Sequence, residues 1–127
     1  MKSAPTSIIA MSLRAKQSEF ARLVPRLIDK AFELGYEVTL GDAYRDPRVH
    51  GPMGHKRSYS RSYSAHKIRM AVDLNLFKDG RYITDHEGHS EIGEWWEKQH
   101  EDARWGGRFD DPNHYSFGHV VDGIERQ

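Results

Sequence analysis

The chain has 127 residues, of which 37% are apolar and 30% charged, with a mean hydropathy of −0.81; this describes one domain, residues 1–127, with a small core that a bound metal would help to hold. Nineteen Lys and Arg balance nineteen Asp and Glu, so no net charge directs the chain to nucleic acid or to an anionic membrane surface. Cysteine is absent, which excludes disulfides, thiolate metal sites and cysteine nucleophiles together and leaves His, Asp and Glu as the only strong metal donors, a set suited to catalytic rather than structural zinc.

At the N-terminus the apolar patch Ile8 to Met11 is too short for a signal peptide, and no apolar run approaches the roughly 18 residues of a membrane span. The expectation is a protein that is cytoplasmic on synthesis, monomeric and without a membrane partner. Phe20, Leu23, Val24, Leu27, Ile28, Ala31 and Phe32 recur at helical spacing, which predicts a helix from Ser18 to Gly35 with Ser18 as N-cap. Pro25 should bend this helix or mark its first turn. Tyr36 to Leu40 alternates as a strand. The polar stretch Gly41 to Ala65 is too long for an ordinary connection. Its HKRSYSRSYS segment reads as a solvated mobile loop, with contact to a polyanion as the alternative.

Ile68 to Phe77 predicts a strand with Ile68, Met70, Val72, Leu74 and Leu76 on one face and Arg69, Ala71, Asp73 and Asn75 on the other. Lys78-Asp79-Gly80 turns it into a returning strand, Arg81 to Thr84. A second helix fits Ser90 to His100, and a last strand runs from His114 to Val121. The order implies an α+β fold, a small antiparallel sheet with flanking helices. His86 and His89 read as solvated residues of a glycine-containing turn, and Trp95, Trp96 and Trp105 as core and cleft-wall residues.

Asp73 lies mid-strand, where a covered carboxylate is costly unless paired or bound to a cation. His66 precedes it by an odd separation, so on a continuous strand the two would face apart. His66 must therefore sit in the preceding loop and turn back over the strand. In Asp111-Pro112-Asn113-His114 a carboxylate three residues before a histidine can stand close to whatever that histidine binds, as hydrolytic metal sites require. Asp before Pro is equally a common turn former. Arg45 could hold a carboxylate or a developing oxyanion, or be merely solvated.

Ser64-Ala65-His66-Lys67-Ile68-Arg69-Met70-Ala71-Val72-Asp73 resembles the S-x-H-x-x-G-x-A-x-D signature of the zinc D-alanyl-D-alanine carboxypeptidase and L-alanyl-D-glutamate endopeptidase family, whose fold is shared with the Hedgehog signalling domain. Asp73-Leu74-Asn75-Leu76-Phe77 is similar to the version in bacteriophage lysis enzymes. Trp105-Gly106-Gly107-Arg108-Phe109 and Asp111-Pro112-Asn113-His114-Tyr115 resemble the family's W-G-G-x-F and D-x-x-H-aromatic ending, and Gly41-Asp42-Ala43-Tyr44-Arg45 its S-G-Y-R segment. The resemblance implies one zinc held by His66, Asp73 and His114, Asp111 as general base and acid, Arg45 as substrate or transition-state anchor, and Ser64 and Tyr115 lining the substrate site. It implies a Hedgehog/DD-peptidase-like fold, a peptidoglycan stem peptide as substrate and an endolysin reaching the bacterial wall after release. A carboxypeptidase or a non-catalytic wall-binding module are the alternatives. The chain departs from the pattern at Arg69, where the family has glycine, so a different local backbone path is expected there. It departs again at Asp42, and residues 49–63 align with nothing in the pattern.

Overall fold

The computed structural model describes residues 12–127; the patch Ile8 to Met11 lies outside the described residues. Helix α1 spans Leu13–Glu33. It begins five residues before the expected start because Ser12, not Ser18, caps it, accepting the Ala15 amide through its hydroxyl at 3.1 Å. Phe20, Leu23, Leu27 and Ala31 form its buried stripe, while Phe32, expected on that stripe, is half exposed. Pro25 is accommodated within the helix and does not mark its first turn. The helix ends on Gly35, whose φ of +92° allows the Gly35 amide to reach the Phe32 carbonyl and the Tyr36 amide the Ala31 carbonyl, both at 3.0 Å.

Strand β1 (Glu37–Leu40) follows, then the short helix α2 (Pro47–His50), capped by Asp46. A 3-10 turn at Ala65–Ile68 leads into β2 (Ala71–Lys78). β2 is shorter at its start than the expected strand because Arg69 takes the left-handed conformation, φ +60°. The chain thus keeps the angle that glycine would serve, with no different path. The Arg69 guanidinium lies 3.9 Å from the Tyr44 ring centroid, a cation–π contact that offsets part of the roughly 1–2 kcal/mol this conformation costs an L-residue.

β3 (Arg81–Ile83) returns along the end of β2. Helix α3 is His86–Glu97, capped by Asp85. It starts and ends earlier than the Ser90 to His100 expected, and carries His86 and His89 in its first turn. β4 (Ala103–Trp105), a 3-10 turn at Gly106–Phe109 and β5 (His114–Phe117) follow. The predicted last strand breaks at Gly118, and β6 (His119–Val121) pairs instead with β7 (Ile124–Arg126). Asp122 and Gly123 connect them, both at positive φ, the dipeptide and geometry of a two-residue hairpin turn.

The main sheet is antiparallel in the order β1-β2-β5-β4, with β3 also on β2. Leu74, Leu76, Tyr115 and Phe117 meet α1 and α3 in a core that includes Trp96 and Trp105. The Trp96 indole donates to the Arg104 and Ser116 carbonyls and the Trp105 indole to the Pro112 carbonyl, so both buried tryptophans keep their N–H satisfied. The fold is therefore mixed α and β, an antiparallel sheet with flanking helices, as expected. No helix among the described residues is long and apolar enough to cross a membrane.

Candidate metal centre and cleft

Asp73 on β2 and His114 on β5 are direct cross-strand partners, so their side chains leave the same sheet face, opposite Val72 and Tyr115. His66 reaches the same point from the 3-10 turn before β2, as the odd spacing required. Ser64 caps that turn by accepting the His66 amide at 3.2 Å. His66 Nε2 lies 3.1 Å from Asp73 Oδ1 and 3.2 Å from His114 Nδ1, and His114 Nδ1 lies 3.5 Å from Asp73 Oδ1. These three buried residues could hold a metal ion.

The donor chemistry fits one. The His66 Nδ1–H donates to the Ala43 carbonyl at 2.7 Å, which leaves the Nε2 lone pair of the neutral ring aimed at the Asp73 carboxylate. Lone pairs facing one another in a dry site are unfavourable unless a proton or a cation lies between them. Four-coordinate zinc with bonds of about 2.0–2.1 Å places its ligand atoms about 3.3–3.4 Å apart, close to the three separations found here. His114 Nε2 is buried with no side-chain or backbone partner among the described residues.

Asp73 divides its oxygens. Oδ1 faces the histidines, and Oδ2 accepts from Arg45 at 3.4 Å. Burial pushes the Asp73 carboxyl up, but with no cation in place a proton on the imidazoles of His114 and His66 faces it, and these contacts prevail and hold it well below the usual carboxylate range. Arg45 also donates to Asp42 at 3.0 Å and to Ser60 at 3.4 Å. Asp42 in turn accepts the Tyr59 hydroxyl at 2.6 Å, a bond that holds its carboxyl low and raises the Tyr59 phenol. Arg45 therefore orients the carboxylate of the candidate metal group, a role its sequence position did not suggest. Gly41 makes the arrangement possible: a Cβ there would lie 3.0 Å from the Asp73 Cβ and 3.1 Å from its carbonyl.

Asp111 Oδ2 is 3.9 Å from His114 Nδ1, and its side chain is 45% exposed, so it borders the group without being buried in it. The Trp105-Gly106-Gly107 segment sets this distance. A Cβ on Gly106 would lie 2.2 Å from the Asp111 carbonyl and 2.6 Å from the His114 Cβ, so only glycine lets the Asp111 turn close over His114. The Trp105 indole donates to the Pro112 carbonyl at 2.7 Å and anchors the same turn.

His66, His114, Asp111, Arg45 and Ser64 all border one open cleft of about 450 Å³. Tyr115 does not. Its ring faces the core and is fully buried; the hydroxyl donates to His89 Nδ1 at 3.1 Å. The expectation that Tyr115 lines the substrate site is thus corrected by the strand alternation that sends His114 the other way. His89, expected to be solvated, is also buried, and its Nε2–H donates to the Ile83 carbonyl at 3.1 Å.

The segment of residues 51–63, after α2, supplies one wall of the cleft. Lys67, 3% exposed, points its ammonium at the carbonyls of Pro52, His55 and Ser62. Three donors meet three acceptors, and burial lowers the lysine's pKa. Ser60 is fully buried, and Tyr59, Arg61, Ser62 and Tyr63 border the cleft. Sequence reasoning missed these residues together with Phe109 and Arg126, which also border it. The Asp122-Gly123 hairpin signal could have found Arg126; nothing local pointed to the rest.

No protein-family model and no curated protein matches the chain. The functional reading rests on this geometry and on the motif resemblance.

Proposed function

We propose that the cleft is the active site of a zinc metallopeptidase that hydrolyses an amide bond in the peptidoglycan stem peptide, with a Hedgehog/DD-peptidase-like fold and an endolysin-type L-alanyl-D-glutamate endopeptidase as the specific form. The observation that carries it is the convergence of His66, Asp73 and His114 at 3.1–3.5 Å beside an open cleft that His66, His114 and Asp111 border. A structural zinc would be closed by a fourth protein ligand; this group has three, and two of them, His66 and His114, line the cleft.

One zinc held by these residues would supply Lewis acidity, polarising the scissile carbonyl and acidifying the attacking water. Asp111 takes the proton from that water and returns it to the leaving amine, a role its partial exposure and its position beside His114 allow. Arg45 donates to Asp73 Oδ2 and fixes that carboxylate. Ser64 holds the turn that presents His66. The motif ending and the compact form of the chain favour the endopeptidase form.

The test combines metal content with product analysis. Purified protein should contain one zinc per chain and release new amino termini from purified peptidoglycan, and a chelator should stop the release. The fragment masses name the bond. Asp111→Asn should keep its zinc and lose about 10²–10⁴-fold in turnover. Full activity in that variant overturns the mechanism, and zinc with no cleavage of any wall peptide overturns the peptidase.

A further inference from the structure

Two arginines on the same cleft are not used by this chemistry. The Arg61 guanidinium stands 5.3 Å from the Phe109 ring centroid, and that of Arg126 stands 3.9 Å from the Tyr63 centroid. Both residues border the cleft that His66, His114 and Asp111 border. Among the described residues neither has a carboxylate at ion-pair distance, whereas Arg45, Arg48, Arg104 and Arg108 each do. Glu125, the acidic residue next to Arg126, is taken up by Arg104 at 2.8 and 3.3 Å. Arg126 Nε is buried with no partner.

A buried N–H donor without an acceptor costs free energy that a ligand recovers by supplying one. An aromatic neighbour offers a guanidinium no acceptor in its own plane, so the fork of N–H donors stays available to take a carboxylate by two parallel hydrogen bonds. The rings also restrict the arginine side chains in advance, so less entropy is lost on binding. Arg45 is less suited to this part, because Asp42, Ser60 and Asp73 already draw on all three of its nitrogens and two of these partners are carboxylates.

We infer that Arg61 and Arg126 are the specificity-determining residues of the cleft and receive a free carboxylate of the substrate. Only the identity of the probe peptide rests on the proposed peptidase activity. A γ-linked glutamate keeps its α-carboxylate, and the peptide's last residue carries another. The two sources share one chemistry, and amidating each in turn separates them.

The probe is synthetic L-Ala-γ-D-Glu-L-Lys-D-Ala, with both carboxylates free, with the glutamate α-carboxylate amidated, or with the C-terminus amidated. Binding to full-length, zinc-loaded Asp111→Asn protein is measured by calorimetry, which needs no turnover. The diacid should bind at least tenfold more tightly than one of the two monoamides, and the weaker monoamide names the carboxylate. Adding Arg61→Gln and Arg126→Gln together should bring the diacid down to that level and abolish the preference. Arg61→Lys with Arg126→Lys should retain part of it, which separates lost charge from lost folding. In cleaving protein the Gln pair should raise KM about tenfold and leave kcat within about twofold. Equal binding of all three peptides, or a preference that survives the Gln pair, overturns the inference. A preserved preference without cleavage by the unsubstituted protein overturns the peptidase reading alone and leaves the carboxylate subsite standing.

Discussion

Asp73 and His114 face each other directly across β2 and β5, so the sheet's own hydrogen bonds fix their separation before any ligand arrives. His66 is the third partner and comes from outside the sheet, on a turn held by Ser64 and by the Ala43 carbonyl. A metal that joins all three ties that turn to the sheet and binds only the folded chain. Zinc at one hundred times its Kd should therefore stabilise the protein by about 2.7 kcal/mol, on the order of 10 °C in Tm. Calorimetry with and without chelator measures this shift. His114→Ala should abolish it, and a shift of the same size in His114→Ala would place the metal elsewhere.

Gly106 bears on the site more than on the fold. A methyl group there cannot coexist with the Asp111 carbonyl at 2.2 Å and the His114 Cβ at 2.6 Å, so the turn must move away. Gly106→Ala should cost about 1–3 kcal/mol of stability, as overpacking does, and weaken zinc binding by a larger factor than the neighbouring exposed change Arg108→Ala. Denaturant unfolding and zinc titration of both variants decide it. Unchanged zinc affinity in Gly106→Ala would show that the turn does not position His114.

The elements that place the ligands were legible because they depend on local patterns. Gly35 marked the end of α1, alternation marked β2, and the odd spacing of His66 and Asp73 required a turn between them. Tyr115 was misread because a motif gives adjacency in sequence, whereas strand alternation sends adjacent residues to opposite faces. Arg69 shows another limit. A left-handed position reads as glycine, yet here an arginine holds it against Tyr44, a partner distant in sequence. The segment HKRSYSRSYS looked mobile because Lys67, which gathers its backbone, lies outside it and acts through carbonyls that carry no sequence signature.

His89 gives the protein a pH response apart from the metal centre. Burial lowers its pKa below the ordinary histidine value, and both ring nitrogens are satisfied in the neutral form. Between the lowered folded value and the ordinary value of about 6.5, the unfolded chain binds a proton that the folded chain does not. Stability is therefore full above about pH 6.5 and falls as pH drops through that window. His119, also lowered by burial, acts in the same direction. His89→Gln should flatten part of the slope between pH 5 and 7 in urea unfolding of chelator-treated protein. An unchanged slope would assign the response to other groups.

Lys67 ties the wall of the cleft to the turn that carries His66. Its ammonium is the shared donor for carbonyls at Pro52, His55 and Ser62, so Lys67→Met removes three bonds while keeping most of the apolar stem. Much of the loop is near solvent, and water can replace the lost donors once the loop opens. The loss is therefore local. Amides in residues 52–62 should exchange at least tenfold faster, about 1.4 kcal/mol of local opening, while those of β2 and β5 change far less. Because Tyr59 and Arg61 ride on this segment, KM for wall peptides should rise with little change in kcat. Hydrogen exchange read by mass spectrometry checks the first expectation and steady-state kinetics the second. Uniformly faster exchange across β2, β5 and the loop would mean that Lys67 supports the whole fold and does not act as a strap for the cleft wall.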